Sequence, residues 1–474
     1  MRDEDMKKIL MKFGGTSVAT GENIRNVANL VVENAKQDCT LIVVVSALDG
    51  VTDELFEAAE QARKEKQEYI QAFKQRMLDR HYAAIMKAIK NSAVRKEVEQ
   101  TVKKIIDELE KVLTGICYVG ELTPKSKDYV LSFGERLSAP IVCGALRDLK
   151  LKSMAFTGKE AGIVTDSNFG DANPLFNVTK HQLKERIEPL IEEKVTPVMS
   201  GYIAATQDGV VTTLGRGGSD YTATIIAAAL AMDEVWIWTD VDGIMTADPK
   251  IIPSARLLRQ LSYQEAAELA IFGAKAMHPR ALEPIMKENI PARIRNVFNP
   301  KNPGTLISSE TTNTRRDVVK AVAVIKEVAM INVSGGGMVG APGSYARILD
   351  LLGKNGINVM MISAAASEAN ISLVIRRSML GRALSTLEIV LLGRGFASDV
   401  TAEDDVSVVA AMGANMKGTP GVASRIFNTQ AKNGINIRMI AQGSSELNIS
   451  FVVKEKDGKA AVQAIHDEFQ LDKA

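Results

Sequence analysis

The sequence predicts an α/β domain, a mainly parallel sheet covered by helices on both faces, followed by two smaller α+β units. Three observations predict it. Short β-branched runs alternate with helical patterns over the first 300 residues, a polar stretch interrupts the chain just beyond them, and the remainder repeats itself without a gap. A chain of 474 residues has room for about three domains.

Ile9 to Phe13 and Leu41 to Val45 are apolar strands flanking a segment whose Ile24, Val27, Ala28 and Val31 share one helical face, which makes a βαβ unit. From Glu57 to Leu113 a charged helical pattern follows, and its Lys/Glu alternation suits a solvated helical hairpin. Strand patterns return at Pro197 to Ile203, Val210 to Leu214, Val235 to Trp238 and Ala292 to Phe298, runs apolar enough for a buried parallel sheet. The first domain is therefore expected over 1–305, with 57–113 as a helical insertion. Asn299-Pro-Lys-Asn-Pro-Gly-Thr305 and the polar run Ser308 to Asp317 suit a boundary and a linker at 306–317.

Beyond it, Pro342-Gly343, Arg347-Ile348, Lys354-Asn-Gly-Ile-Asn358, Ser367-Glu368 and Asn370-Ile-Ser372 recur 78 residues later, from Pro420-Gly421 to Asn448-Ile-Ser450. Each copy reads strand, Gly-rich loop, helix, Asn-Gly turn, strand, turn, strand, helix. The second copy lacks the closing strand that Phe396 to Thr401 could supply to the first, and the β-patterned Val318 to Ile325 could fill that position. The expected units are 327–404, and a discontinuous 318–326 plus 405–474 into which the first is inserted.

Lys plus Arg number 58 against 57 Asp plus Glu, a formal charge of +1, so no overall field draws the chain to nucleic acid or to a membrane surface. Apolar residues at 46% and charged residues at 24% exclude a disordered composition. Cys39, Cys117 and Cys143 lack C-x-x-C spacing, which disfavours a disulfide framework or a structural zinc site and suits a reducing cytoplasm. The N-terminus is too charged for a signal peptide, and the apolar run Ile225 to Met232 is far shorter than a membrane span.

Lys12-Phe-Gly-Gly-Thr-Ser17 closes the first strand and opens a helix, where glycine N–H groups and the helix terminus could cradle phosphate. The lysine precedes the glycines, so this is not a P-loop, and taken alone it reads more readily as a plain strand-to-helix turn. Leu214-Gly-Arg-Gly-Gly-Ser-Asp220 is a second such turn, with Ser219 or Asp220 as a possible helix cap. Two cation-bearing glycine turns at strand ends suggest an anionic ligand between them. Ser132-Phe-Gly-Glu135 matches a capping box, a structural reading that leaves Glu135 open as a ligand. Trp238-Thr-Asp-Val-Asp-Gly243 has its glycine too early for a calcium loop. Gly335-Gly-Gly-Met-Val-Gly340 spells a dinucleotide fingerprint but lacks the acid that should end the next strand, and it belongs to the repeat. The histidines, His81, His181, His278 and His466, are too dispersed for a metal or triad.

Lys12-Phe-Gly-Gly-Thr-Ser-Val18, Ser132-Phe-Gly-Glu-Arg136, Gly215-Arg-Gly-Gly-Ser-Asp220, Trp238-Thr-Asp240 and Phe272-Gly-Ala-Lys-Ala-Met-His-Pro279 together resemble the aspartokinases. The resemblance spans nearly the whole chain, since the doubled unit is similar to that family's paired ACT domains, and the length is similar to its monofunctional archaeal-type members, with no dehydrogenase half. It implies an amino acid kinase fold followed by two ferredoxin-like βαββαβ ACT domains. The activity it implies is phosphoryl transfer from ATP, with Mg²⁺ held mainly by the phosphates, to the side chain of L-aspartate. By resemblance, Lys12 and Asp220 are catalytic, and Ser46, Thr52, Glu135 and Arg216 bind aspartate. The implied nucleotide set is Lys12, Phe13, Gly14, Gly15, Thr16, Ser17, Gly218, Ser219, Thr239, Asp240, Met245, Lys250 and Lys275, with Met245 standing where many relatives have tyrosine.

An amino acid effector is expected at the loops of the repeat, at Met338, Val339, Gly340, Ala341, Pro342 and Asn358 and at Lys417, Gly418, Thr419, Pro420, Asn436 and Gln442. Neither loop contains an acid, and Glu368 and Glu446 flank turns as solvated residues, which favours threonine over lysine. Pairing of ACT-like sheets between chains implies a homo-oligomer, a dimer or a dimer of dimers. Another amino acid kinase, such as glutamate 5-kinase or a nucleoside monophosphate kinase, and a non-catalytic nucleotide and amino acid sensor are the alternatives.

Overall fold

The structure, a computed structural model, describes residues 7–37, 39–273, 277–309, 318–392 and 397–473. They form two compact units. The first comprises Met1–Ile244, Arg259–Tyr263 and Met277–Thr311, and the second Met245–Leu258, Gln264–Ala276 and Thr312–Ala474. Most of the expected linker, 310–317, and Phe396 lie outside the described residues.

In chain order the first elements are β1 (Lys8–Phe13), α1 (Gly21–Ala35), β2 (Thr40–Val45), α2 (Val51–Arg63), α3 (Gln67–Ala88), α4 (Ser92–Val119), α5 (Pro124–Leu131) and α6 (Phe133–Asp148). There follow β3 (Ser153–Phe156), α7 (Gly158–Ala161), β4 (Val164–Thr165), α8 (Phe176–Glu192), β5 (Thr196–Ser200), β6 (Ile203–Thr206), β7 (Val211–Thr213), α9 (Gly218–Ala229) and β8 (Glu234–Thr239). The series continues with β9 (Gln260–Ser262), α10 (Tyr263–Ile271), α11 (Pro279–Lys287), β10 (Ala292–Asn296) and β11 (Thr305–Ser308).

The first unit is built on an eight-stranded sheet of order β3-β5-β2-β1-β8-β10-β11-β9. β1 and β2 are apolar nearly throughout because both their faces are covered. Phe13 pairs with Val45 on one side and Trp238 on the other, and Val45 pairs with Ser200, so four parallel strands end at one level. The chain leaving them is where an open α/β sheet presents a ligand site. α1 starts where Thr20 accepts the Asn23 N–H, and its Ile24, Val27, Ala28 and Val31 are buried in the core with Phe13, Phe133 and Trp238.

Two expectations are corrected here. Pro197 to Ile203 is not one strand: it breaks at Gly201 and Tyr202, whose φ of 67° leaves the β region, and β6 and β7 join β4 in a separate three-stranded sheet. The 57–113 stretch is solvated on one side only. Val98, Val102, Ile106, Leu109 and Leu113 of α4 form a buried stripe at helical spacing, and Ile70, Phe73 and Met77 of α3 share the same core.

The second unit contains β12 (Ala321–Ser334), α12 (Ser344–Lys354), β13 (Val359–Ala364), β14 (Asn370–Arg376), α13 (Leu380–Leu387), β15 (Asp399–Met412), α14 (Val422–Lys432), β16 (Met439–Gln442), β17 (Asn448–Lys454) and α15 (Gly458–Glu468). The sheet order is β13-β14-β12-β15-β17-β16, all antiparallel. β12 and β15 pair along nearly their whole length, from Ala321 with Met412 to Ser334 with Asp399, through an irregularity around Ile325 to Met330. Two helical cores cover the sheet, one holding Ile331, Ile348, Leu373 and Leu387, the other Val322, Val409, Ile426, Phe451 and Ile465.

Candidate active site

Lys12, next to last in β1, is only 8% exposed, and its Nζ lies 2.5 Å from the Asp220 carboxylate, which comes from the first turn of α9. The Lys12-to-Ser17 segment does not run directly into the helix: a 3₁₀ turn, Gly15–Val18, intervenes before α1 begins at Gly21. The Gly14 N–H donates to the Trp238 carbonyl (3.2 Å), and the Ser17 N–H to the Gly14 carbonyl (3.0 Å). Ser17 Oγ also donates to the Trp238 carbonyl, at 3.3 Å. Within the expected cradle, internal bonds thus take the Gly14 and Ser17 donors. Gly15 stays small for a reason: a Cβ there would sit 3.3 Å from the Ala47 carbonyl.

Glu135 is 3% exposed in the first turn of α6. The capping box fails. Ser132 is itself in helical conformation with its hydroxyl donating to the Tyr129 carbonyl at 2.7 Å, while the Ser132 N–H donates to the Asp128 carbonyl. The capping box of this region is Thr157 with Glu160. Ser138 and Ser200 hydroxyls both donate to the Glu135 carbonyl, fixing its backbone. Burial pushes the Glu135 carboxyl up to about 8, against the pull of the Ala47 N–H and the Lys12 charge. Its Oε2 has no hydrogen-bond partner among the described residues. A buried carboxylate left this way calls for a cationic ligand or a proton.

Gly215 and Gly217 have φ of 72° and 67°, the left-handed region that glycine tolerates, and Gly217 starts α9. Neither Ser219 nor Asp220 caps that helix. Arg216, between the two glycines, is exposed.

These segments enclose a cavity of about 320 Å³. Of the sequence-predicted residues, Lys12, Gly15, Ser46, Thr52, Glu135, Gly218, Ser219 and Asp220 line it, whereas Phe13, Gly14, Thr16, Ser17, Arg216, Thr239 and Asp240 do not. Leu48, Asp49 and Tyr202 also line it and were missed. The left-handed backbone that turns Tyr202 there leaves no signal in the sequence. Thr239 donates its hydroxyl to Asp240 at the end of β8. Met245 and Lys250 belong to the second unit, and Lys275 lies outside the described residues. No group of His, Cys, Asp and Glu among the described residues forms a metal cluster.

In the second unit Gly340, Ala341 and Pro342 line a cavity of about 290 Å³ together with Gly343, Ser344, Tyr345 and Glu368. Met338 is buried, Val339 is 52% exposed, and Asn358, Lys417, Gly418, Thr419, Pro420, Asn436 and Gln442 are exposed and outside that lining. Glu368 and Glu446 do not merely flank turns. The Gly340 N–H donates to Glu368 (2.9 Å) and the Gly418 N–H to Glu446 (2.6 Å), so each repeat folds a carboxylate onto its own glycine loop.

The amino acid kinase family profile matches residues 7–296, and an ACT domain profile matches 331–390 and 409–469. Aspartokinase 1, chloroplastic, of Arabidopsis thaliana is 32% identical over 473 residues, 98% of this chain and 81% of that protein. A bifunctional aspartokinase/homoserine dehydrogenase of Zea mays is 35% identical over 98% of this chain but 50% of its own length, so the chain spans about half of such relatives. Two structures of E. coli aspartokinase III superpose with it. The complex with lysine and aspartate (T-state) gives a TM-score of 0.80 at 27% identity over 97% of this chain and 99% of that one. The complex with aspartate and ADP (R-state) gives 0.78 at 28% over 98% and 99%. An amino acid kinase fold carrying this lysine, glutamate and glycine-turn cavity, followed by ACT domains, assigns the chain to the aspartokinase family.

Proposed function

We propose that the chain is an aspartate kinase, transferring the γ-phosphoryl group of ATP to the side-chain carboxylate of L-aspartate to give 4-phospho-L-aspartate and ADP, the entry to lysine, threonine and methionine synthesis. The observation that carries this is the cavity itself, which combines a Lys12–Asp220 pair with a buried Glu135 whose Oε2 has no hydrogen-bond partner among the described residues. The acceptor carboxylate, with a pKa of about 4, is already an anion at neutral pH and needs no general base. Attack on a triphosphate needs charge neutralisation and positioning instead. Lys12, held by Asp220, supplies a cation to the transferring group. Glu135 receives the substrate ammonium, Arg216 its α-carboxylate, and Ser46 and Thr52 complete the pocket.

The cavity lining fits a metal delivered on phosphate rather than a protein-built site, because its Asp220 is already engaged with Lys12. Mg²⁺ bound to ATP would supply charge neutralisation, with Asp220 and the nearby Asp49 as the facing carboxylates. The contribution of Met245, Lys250 and Lys275 to nucleotide binding rests on resemblance alone.

Feedback by an amino acid is part of the proposal, with the Gly340 loop cavity as its site. Every amino acid brings an α-ammonium, and Glu368 is the only acid among the described residues of that lining. A lysine would bring a second ammonium with no second carboxylate, so threonine is favoured. The second ACT domain is proposed as 318–326 plus 405–474, supported by the pairing of Ala321 to Ile325 with Val408 to Met412. Homo-oligomerisation through the ACT sheets completes the proposal. The described residues contain no helix long and apolar enough to cross a membrane, and the three cysteines are free.

The test is ATP-dependent acyl-phosphate formation across a panel of amino acids, trapped with hydroxylamine, with threonine and lysine added separately. Aspartate should be the acceptor. Hydroxamate from glutamate alone would overturn the substrate assignment, and inhibition by lysine alone would overturn the effector.

A further inference from the structure

The stretch Met277-His278-Pro279-Arg280 opens α11, and the proposed reaction leaves it without a task. Its neighbours explain what it does. Arg216 sits in a Gly-Arg-Gly-Gly turn, the least restrained backbone a chain can offer, with both flanking glycines at positive φ. Left to itself such a turn would lose much freedom each time its arginine closed on a substrate.

Arg280 spans from α11 to that turn. Its Nη1 donates to the Leu214 carbonyl (3.4 Å) and to the Asp171 carboxylate, and its Nη2 donates to the Ala172 carbonyl (2.8 Å) and to Asn173 Oδ1 (2.8 Å). The guanidinium also lies over the Tyr221 ring, 4.8 Å from its centre, next in sequence to Asp220. The Asp171 carboxylate in turn occupies the space that a Cβ on Gly215 would need. On the other side, a Cβ on Gly217 would come within 2.7 Å of His278 Cβ. His278 is itself fixed, because its Nδ1 accepts the Arg280 N–H at the start of α11. One clamp therefore bears on each glycine beside Arg216.

We propose that Arg280 is a positioning residue for the acceptor substrate: with Asp171 and His278 it grips both glycines around Arg216, so that the substrate α-carboxylate meets an arginine whose backbone is already placed. The proposal rests on the reading of Arg216 as the cation for that carboxylate. Arg280 is absent from the cavity lining and acts only through the turn.

The test is steady-state kinetics of the full chain with aspartate and ATP varied separately, alongside thermal midpoints, for Arg280→Ala, Arg280→Lys and Asp171→Asn. Arg280→Ala should raise the aspartate KM about tenfold or more, with kcat and the ATP KM within about twofold of the parent. Arg280→Lys should restore only part of the loss, since one ammonium cannot reach the four acceptors of the guanidinium fork. Asp171→Asn, which keeps the shape against Gly215 and removes the charge, should raise the aspartate KM about threefold. A lowered thermal midpoint with an unchanged aspartate KM overturns the proposal, as does an equal rise in both KM values. If Arg280→Ala does not fold, the other two variants decide by the same criteria. A parent chain that forms no hydroxamate from aspartate sinks the functional reading and this proposal with it, whereas an active parent without the KM split sinks the proposal alone.

Discussion

Aspartate binding should be coupled to the loss of a proton from Glu135. Burial holds this carboxyl near 8 where an ordinary glutamate has 4.5. That displacement is on the order of 5 kcal/mol against the charged form, at about 1.4 kcal/mol per tenfold. An ammonium can be received only by the ionised group. At pH 7 about a tenth of the ligand-free sites are ionised and at pH 9 about nine tenths, so the aspartate KM should fall about tenfold between those limits. The ATP KM serves as the internal control. Glu135→Gln should bind aspartate about a hundredfold more weakly and lose the pH dependence, since the amide cannot ionise. The folded pKa lies above the unfolded one, so the group's contribution to stability is complete below pH 4.5 and is lost as pH rises through 8. Bound aspartate removes that loss, so the rise in thermal midpoint that aspartate causes should grow with pH. A parent aspartate KM flat from pH 7 to 9, or a Glu135→Gln variant with the parent slope, would refute the coupling.

Lys12→Met should lower kcat about a hundredfold or more with smaller effects on either KM, because its charge is used most fully as the phosphoryl group moves; a near-normal kcat would reduce Lys12 to the end of a strand. Glu368→Gln should weaken effector inhibition about tenfold and leave uninhibited kinetics unchanged, whichever amino acid is the effector. Calorimetric titration of the effector should give about one site per chain, and two per chain would show that both glycine loops bind.

How far the sequence carries depends on whether a feature is local. Lys12, Asp220 and the two glycine turns were legible because strand-end glycines have a local cause, and the 78-residue repeat was legible because its loops and helices recur at identical spacing. The capping box at Ser132 failed because the pattern does not say whether a helix already precedes it: α5 runs directly into α6, so Ser132 is itself helical and Glu135 lines the cavity. The loss of the Gly14 N–H to the Trp238 carbonyl depends on a strand more than two hundred residues away. The grip of Arg280 on the Arg216 turn likewise joins segments that no periodicity connects.

The repeat also shows why sequence equivalence does not make two equal sites. Gly336 and Ala414 are equivalent positions at the start of the two glycine loops, yet Gly336 is exposed, while the Ala414 N–H donates to Glu265 at 2.8 Å. Glu265, 2% exposed, is also ion-paired to Lys320 at 3.0 Å. Asn448 donates to Glu268 at 2.5 Å, whereas its counterpart Asn370 is exposed. The Ala414 N–H of the second loop and the Asn448 side-chain amide of β17 thus each donate to a carboxylate of α10. The first loop borders its cavity beside Gly340, whose N–H donates to Glu368 of the same repeat. Matching residues of the repeat thus stand in unlike surroundings, because only the second copy's Ala414 and Asn448 are tied to carboxylates of α10 among the contacts of the described residues.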